Sequence, residues 1–129
     1  MNSICIIPAR SGSERIKNKN IIKFQNKPMI YWSIQAAIKS KCFKKIFVST
    51  DSENIAKVVR KFGKIDIIKR PKKISSNKAP LIDVIHHALK NIDSSYDAVC
   101  CILPASPLIL YKDIKLSKKF FSENCYFVV

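Results

Sequence analysis

The chain has 129 residues, of which 24 are Lys or Arg and 9 are Asp or Glu, so its formal net charge is +15 at pH 7. Hydrophobic residues make up 47% and charged residues 26%, which excludes an intrinsically disordered chain and fits one globular domain over residues 1–129. No apolar run approaches the roughly 20 residues that a membrane-spanning helix needs, and the first residues lack the pattern of a secretory signal. We therefore expect a cytoplasmic protein without a membrane partner.

The positive charge is a weak indicator of function. Lysines account for most of it and are spread along the chain, without the interleaved aromatic residues that are typical of nucleic-acid-binding surfaces. Lysine and isoleucine are both abundant, as they are in proteins from genomes rich in A and T, so much of the charge is expected on solvated surfaces. The pattern disfavours nucleic acid as a partner and makes the four arginines the more informative cations.

Short, continuously apolar runs alternate along the chain with longer amphipathic stretches. Continuous hydrophobicity is typical of strands that are covered on both faces, and a period near 3.6 is typical of helices packed on a sheet. The predicted strands lie at residues 4–7, 46–48, 65–68, 98–103 and 126–129, and the predicted helices at residues 29–40, 52–62 and 81–92. This order predicts an α/β fold, a three-layer α/β/α sandwich around a mostly parallel, Rossmann-like sheet.

Turn and capping residues agree with these boundaries. Asp51 or Ser52 can cap the second helix, Gly63 follows it where a left-handed residue is favoured, and Pro80 suits the start of the third helix. The last apolar run has nothing after it to cover it. We therefore expect the domain to be incomplete.

The loop after the first strand, ARSGSERIKNKN at residues 9–20, is the strongest candidate for a ligand site. In an open α/β sheet, ligands bind at the carboxyl ends of the strands, which is where this loop begins. A glycine allows close approach of the backbone to an anion, hydroxyl and N–H groups donate to phosphate oxygens, and basic side chains supply fixed charge. The residues of these kinds are Arg10, Ser11, Gly12, Ser13, Arg15 and Lys19. The pattern favours a triphosphate but matches neither GxGxxG nor the P-loop.

Three later segments are weaker candidates. Asp51 leaves the second strand, where helix capping and ligand contact are both open interpretations. Arg70 follows the third strand, at the same edge of the sheet as the first loop, and could meet a base or a phosphate. After the fourth strand, Pro104 and Pro107 bracket Ser106 in a stiff loop that could form a pocket wall.

The stretches IIPARSGSERIKNKNI and KPMIYWSIQAAIKSKCFKKIFVSTDSENIA resemble the amino-terminal half of the acylneuraminate cytidylyltransferases. Within that family the resemblance is strongest to the pseudaminic acid cytidylyltransferases. It rests on CCILPASP after YDAV, on SER in the first loop and on RP after the third strand. The resemblance implies the nucleotide-diphospho-sugar transferase fold and transfer of CMP from CTP to the anomeric hydroxyl of a nine-carbon acidic sugar, with release of pyrophosphate. It also implies Mg²⁺ as cofactor and a homodimer for the full-length proteins.

Carried over by motif, the resemblance also implies roles for individual residues. It makes Arg10, Arg15 and Lys19 the catalytic cations. It places Ala9, Arg10, Ser11, Gly12, Ser13, Asn20 and Arg70 on the nucleotide, and Ser106 and Asp51 on the substrate, and leaves the metal ligands unknown.

Departures from the family pattern define the alternatives. Glu14 stands where many relatives have a lysine that faces the phosphates, so we expect Arg15 to take over that role. Leu103 and Ala105 replace residues that are common in the sugar and base pocket. The half of the family fold that carries acidic metal ligands has no counterpart here, so a non-catalytic nucleotide-binding remnant is the alternative. General nucleic-acid binding, which the net charge alone supports, ranks last.

Overall fold

The structure is a computed structural model that describes residues 1–12, 19–93 and 95–124. Its strands are β1 (Ser3–Pro8), β2 (Lys23–Phe24), β3 (Lys27–Pro28), β4 (Lys45–Thr50), β5 (Asp66–Lys69) and β6 (Ala98–Cys101). Its α-helices are α1 (Met29–Ser40), α2 (Glu53–Arg60), α3 (Leu81–Lys90) and α4 (Tyr111–Asn124), and single 3₁₀ turns lie at Lys19–Ile21 and Lys72–Ile74. None of the helices in these ranges has the length and apolarity needed to cross a bilayer.

Four strands form a parallel sheet in the order β5-β4-β1-β6, which confirms the predicted parallel arrangement. β1 is central: Cys5 pairs with Ile46 of β4 on one side and with Cys100 of β6 on the other. Along the chain, β4 pairs with one side of β1 and β5 pairs with β4, whereas β6 pairs with the opposite side of β1. The strand order therefore reverses between β1 and β6, and this switch point is where open α/β sheets bind ligands.

Helices cover both faces of the sheet because the strand side chains alternate between the two faces. Cys5 and Ile7 belong to a core cluster that includes Ile34 of α1 and also takes in residues of α2 and α4. Ile4 and Ile6 point to the opposite face and pack in a cluster with residues of α3. The predicted three-layer sandwich is confirmed.

The first four predicted strands and all three predicted helices are present, with boundaries shifted by a few residues. Ser52 is the cap of α2, since its hydroxyl accepts a hydrogen bond from the Ile55 amide at 3.2 Å. The fourth strand ends at Cys101 rather than at residue 103. The fifth predicted strand, residues 126–129, lies outside the described residues.

A two-stranded hairpin and one helix were missing from the sequence-based prediction. β2 and β3 form a short hairpin whose turn residues, Gln25 and Asn26, have φ angles of 48° and 66°, the signs that a type I′ turn needs. The Trp32 indole fixes this hairpin to α1 by donating to the Phe24 carbonyl at 2.9 Å. α4 is lysine-rich and its one buried apolar side chain is Ile114, so its sequence carries little helical periodicity.

Gly63 adopts a φ angle of +148°, which glycine tolerates best. It is not the predicted cap of α2, because that helix ends at Arg60 and Lys61 caps it in the right-handed region. We expect Gly63→Ala to lower the free energy of unfolding by more than about 1 kcal/mol, because an L-residue is strained at this angle. Its Cβ would also meet the Ile38 Cδ1 atom at 2.9 Å. Gly12→Ala is the matched control, since a Cβ there makes only an ordinary contact, 3.6 Å from an Arg10 nitrogen. Urea denaturation of both variants checks the prediction, which equal losses would contradict.

Candidate functional site

A cleft of about 360 Å³ opens at the carboxyl ends of β1 and β6, at the switch point of the sheet. We call it the switch-point cleft. Five of the predicted site residues line it: Arg10, Gly12, Lys19, Asn20 and Arg70. The rest of the described lining comes from the loop before α3, the start of α3 and the segment after β6, together with Pro8: Ser76, Asn77, Ala79, Leu81, Val84, Leu103, Pro104 and Ala105.

The charged side chains that line this cleft, among the described residues, are all positive. Arg10, Lys19 and Arg70 line it, and no carboxylate is present among the described residues that face it. Cations gathered in a concave site attract an anion and hold it more strongly than they would on a flat surface. The arrangement therefore suits a ligand with several negative charges.

Arg70 is the cation that the fold has buried. Its side chain begins directly after β5, and the residue is only 5% exposed. Its guanidinium donates to Ser49, through Nε to the hydroxyl at 3.3 Å and through Nη2 to the carbonyl at 3.1 Å. It forms no ion pair within the described part of the chain. Burial lowers the pKa of Arg70, the nearby charge of Asp51 raises it, and that of Arg10 lowers it further.

Asn20 anchors the far end of the loop. It is 4% exposed, and its side-chain nitrogen donates to the Arg10 carbonyl at 3.0 Å. Its Oδ1 atom is buried without a hydrogen-bond partner in the described structure. Buried acceptors are rarely left unpaired, so this oxygen is suited to a donor on a ligand in the cleft.

Asp51 makes a two-point contact with the loop. The Ser11 amide donates to Asp51 Oδ1 at 2.8 Å, and the Ser11 hydroxyl donates to Oδ2 at 2.7 Å. Burial alone would raise the pKa of Asp51, but these two bonds and the charge of Arg70 bring the pKa below its ordinary value. Both donors of Ser11 are thereby used within the protein, which leaves neither for a phosphate oxygen.

The lowered pKa of Asp51 predicts a pH-dependent contribution to stability. The ionised carboxylate stabilises the fold fully above its unfolded pKa of about 4, and the contribution is lost as the pH falls through the lower pKa of the folded state. We expect the difference in unfolding free energy between the wild type and Asp51→Asn to narrow on going from pH 7 toward pH 3. Urea denaturation over that range checks this, and a difference independent of pH would contradict it.

The remaining predicted residues fall in three groups. Ala9 is fully buried, and its amide donates to the Ser49 carbonyl at 2.8 Å, so its position follows from strand pairing. Ser106 is half-buried in the turn before α4 and is not among the residues lining the cleft. Ser13, Arg15 and Glu14 lie outside the described residues.

Two supporting residues were not among the predicted site residues. Ser49 holds the Arg70 guanidinium, and Ser33 of α1 donates through its hydroxyl to the carbonyls of Leu103 and Pro104 at 2.9 and 3.3 Å. Both serines are fully buried. A serine inside an otherwise apolar strand or helix face was the available signal, but only the tertiary structure shows which loop each one fixes.

The described residues do not offer a metal site of their own. No group of three or more His, Cys, Asp or Glu side chains in those ranges is placed to hold an ion. Mg²⁺ in proteins is usually bound by one or two carboxylates together with substrate phosphates. Among the described residues no carboxylate lines the switch-point cleft, so this part of the chain supplies no carboxylate ligand there for the predicted Mg²⁺.

Comparison with known proteins identifies relatives over nearly the whole chain. A family profile described as "Cytidylyltransferase" matches residues 4–126. The pseudaminic acid cytidylyltransferase of Campylobacter jejuni serotype O:2 is 38% identical over 127 residues, covering 96% of this chain and 55% of the relative. An N-acylneuraminate cytidylyltransferase of Escherichia coli O18:K1:H7 is 38% identical over 104 residues, covering 81% of this chain and 24% of the relative.

The fold is also similar to solved structures. A CMP:2-keto-3-deoxy-manno-octonic acid synthetase complexed with CTP superposes with a TM-score of 0.81 at 20% identity, over 98% of this chain and 50% of that one. This agreement confirms the predicted nucleotide-diphospho-sugar transferase fold. The chain spans about half the length, or less, of the relatives that it matches.

Proposed function

The chain belongs to the cytidylyltransferase family, and on this premise we propose that it binds CTP in the switch-point cleft for transfer of CMP to a nonulosonic acid. Arg10, Lys19 and Arg70 hold the triphosphate in this proposal. The family membership follows from the profile match over residues 4–126 and from the two relatives that are 38% identical.

The observation that carries the proposal is the buried charge of Arg70, which forms no ion pair among the described residues. A buried cation is costly unless an anion compensates it, and the described chain supplies none within ion-pairing distance. Arg70 lines the cleft together with Arg10 and Lys19, so an anionic ligand there would meet all three cations. A nucleoside triphosphate supplies the required charge.

The proposed transfer forms a bond between the anomeric oxygen of the sugar and the α-phosphorus and breaks the bond from that phosphorus to the pyrophosphate oxygen. The hydroxyl proton is released, and pyrophosphate leaves with the electron pair of the broken bond. Such a displacement needs alignment and charge stabilisation more than covalent help from the protein. Fixed cations in the cleft offset the charge that develops on the leaving group.

The sugar is assigned by similarity. Relatives named pseudaminic acid cytidylyltransferase and relatives named N-acylneuraminate cytidylyltransferase both match 96% of this chain, at 36–38% identity, so they support a nonulosonic acid as the acceptor. The choice of pseudaminic acid rests on the resemblance of the CCILPASP segment. Mg²⁺ enters the proposal as the metal that accompanies the triphosphate, because the described residues offer no carboxylate cluster for it. A cytoplasmic location and a homodimer remain predictions.

Nucleotide binding is tested by calorimetric titration of the 129-residue chain with CTP. UTP is the matched control, and both titrations are run with and without MgCl₂. Pyrophosphate release on addition of pseudaminic acid or N-acetylneuraminic acid tests transfer. Binding of CTP in preference to UTP, followed by turnover, is the expected result. Preferential binding without turnover would favour the non-catalytic nucleotide-binding alternative, and a failure to bind CTP would refute the proposal.

A further inference from the structure

The Asp51 carboxylate does not line the switch-point cleft, but it binds a loop segment whose neighbouring residues do. Asp51 follows β4 and accepts both hydrogen bonds that Ser11 donates, at 2.8 and 2.7 Å. Ser11 lies between Arg10 and Gly12, which both line the cleft, whereas Asp51 and Ser11 do not. The contact therefore reaches the cleft only through the main chain of the loop.

We propose that Asp51 is a positioning residue, which clamps Ser11 and thereby fixes the main chain from Arg10 to Gly12 for anion binding. The inference rests on the proposed function, because the anion is the CTP triphosphate. It assigns Asp51 to the loop rather than to the sugar. Ser11 becomes a point of attachment rather than a phosphate donor, since both of its donors are engaged.

Three successive main-chain attachments support this role. The Ala9 amide donates to the Ser49 carbonyl at 2.8 Å, the Arg10 carbonyl accepts from Asn20 at 3.0 Å, and the Ser11 amide donates to Asp51. These bonds fix the backbone on both sides of the Arg10 side chain. A loop held in its bound geometry before the ligand arrives loses less conformational entropy on binding.

Helix capping does not account for Asp51. The cap of α2 is Ser52, whose hydroxyl accepts from the Ile55 amide, and the Ser52 amide itself donates to the Thr50 hydroxyl at 3.1 Å. The Asp51 carboxylate is left for Ser11. Arg70 adds to this arrangement, because its charge acts on Asp51 from the side of β5.

The test combines a double-mutant cycle with a measurement on the free protein. We expect Asp51→Ala to weaken CTP binding by about 10-fold and Ser11→Ala by less, since the Ser11 amide keeps its bond in the second variant. The double variant should bind as Asp51→Ala does. Asp51→Asn should recover part of the affinity, because its amide oxygen can accept from the Ser11 amide. In the ligand-free protein, hydrogen exchange at the Ser11 amide should accelerate in Asp51→Ala.

Asp97→Ala is the matched control, because Asp97 also accepts a backbone N–H, that of Asn2 at 2.7 Å, but at the amino-terminal edge of the sheet. It should leave CTP affinity and Ser11 exchange unchanged. Wild-type affinity in Asp51→Ala, or losses that simply add in the double variant, would overturn the inference. If the wild type binds no CTP, the proposed function fails. Independently of CTP, an unchanged rate of hydrogen exchange at the Ser11 amide in Asp51→Ala would show that the clamp is absent.

Discussion

Replacing Arg70 with methionine is expected to weaken CTP binding by about 30-fold or more while changing the free energy of unfolding by no more than about 1 kcal/mol. Loss of a buried, hydrogen-bonded charge from an ionic contact costs about 2 kcal/mol or more, and 1.4 kcal/mol corresponds to a factor of ten in affinity. The ligand phosphate would lose its only buried cation among the described residues that line the cleft.

Stability responds differently because two effects oppose each other. Methionine removes a charge that burial disfavours and that forms no ion pair in the described ranges, although the nearby charge of Asp51 compensates it in part. It also removes the two hydrogen bonds that Arg70 donates to Ser49, each worth about 1 kcal/mol. The methionine side chain is flexible enough to fill the vacated space. A large loss of affinity with little change in the free energy of unfolding is typical of a residue that serves binding rather than folding.

Arg60→Met is the matched control for the Arg70 variant. Arg60 is a surface cation whose side chain is 53% exposed and which pairs with Glu53 at 3.3 Å. Exposed pairs of this kind contribute about 0–1 kcal/mol, so both the affinity and the stability should stay close to the wild type. Calorimetry and urea denaturation measure the two quantities. A large stability loss in Arg70→Met with unchanged CTP affinity would assign Arg70 to the fold instead.

Ile7→Ala is expected to lower the free energy of unfolding by about 3 kcal/mol, within the usual range of 2–5 kcal/mol for such truncations. Ile7 is fully buried on the central strand, opposite Val48 of β4, in the cluster that α1, α2 and α4 share. Removing three carbon atoms there leaves a cavity that the surrounding sheet and helices cannot close. For a domain with a typical stability of about 5–15 kcal/mol, this is a large fraction of the total.

Ile82→Ala provides the matched truncation at an exposed position, because Ile82 lies on α3 and is 59% exposed. Its effect should stay within about 0.5 kcal/mol, since alanine has a better helix propensity than isoleucine and little apolar burial is lost. Urea denaturation midpoints of Ile7→Ala and Ile82→Ala measure the two stability losses. Equal losses at the two positions would contradict the assignment of the core to the two faces of β1.

The candidate site was predictable to the extent that it lies on one loop. Arg10, Gly12, Lys19 and Asn20 come from a single polar segment after a buried strand, and all four line the cleft. Arg70 could be added because parallel strands bring their carboxyl ends to one edge. The contact of Asp51 with Ser11 was not predicted, because the two residues are 40 positions apart in the chain.

Local pattern by itself determined the four strands of the parallel sheet and the first three helices, because continuous apolar runs and a 3.6-residue period reflect which faces must be buried. It also determined the chemistry of the first loop. Only the tertiary structure decided which serines are structural: Ser49 holds Arg70, and Ser33 fixes the segment after β6. Those pairings join residues that are distant in the chain, and they depend on strand order and helix packing, which no local pattern encodes.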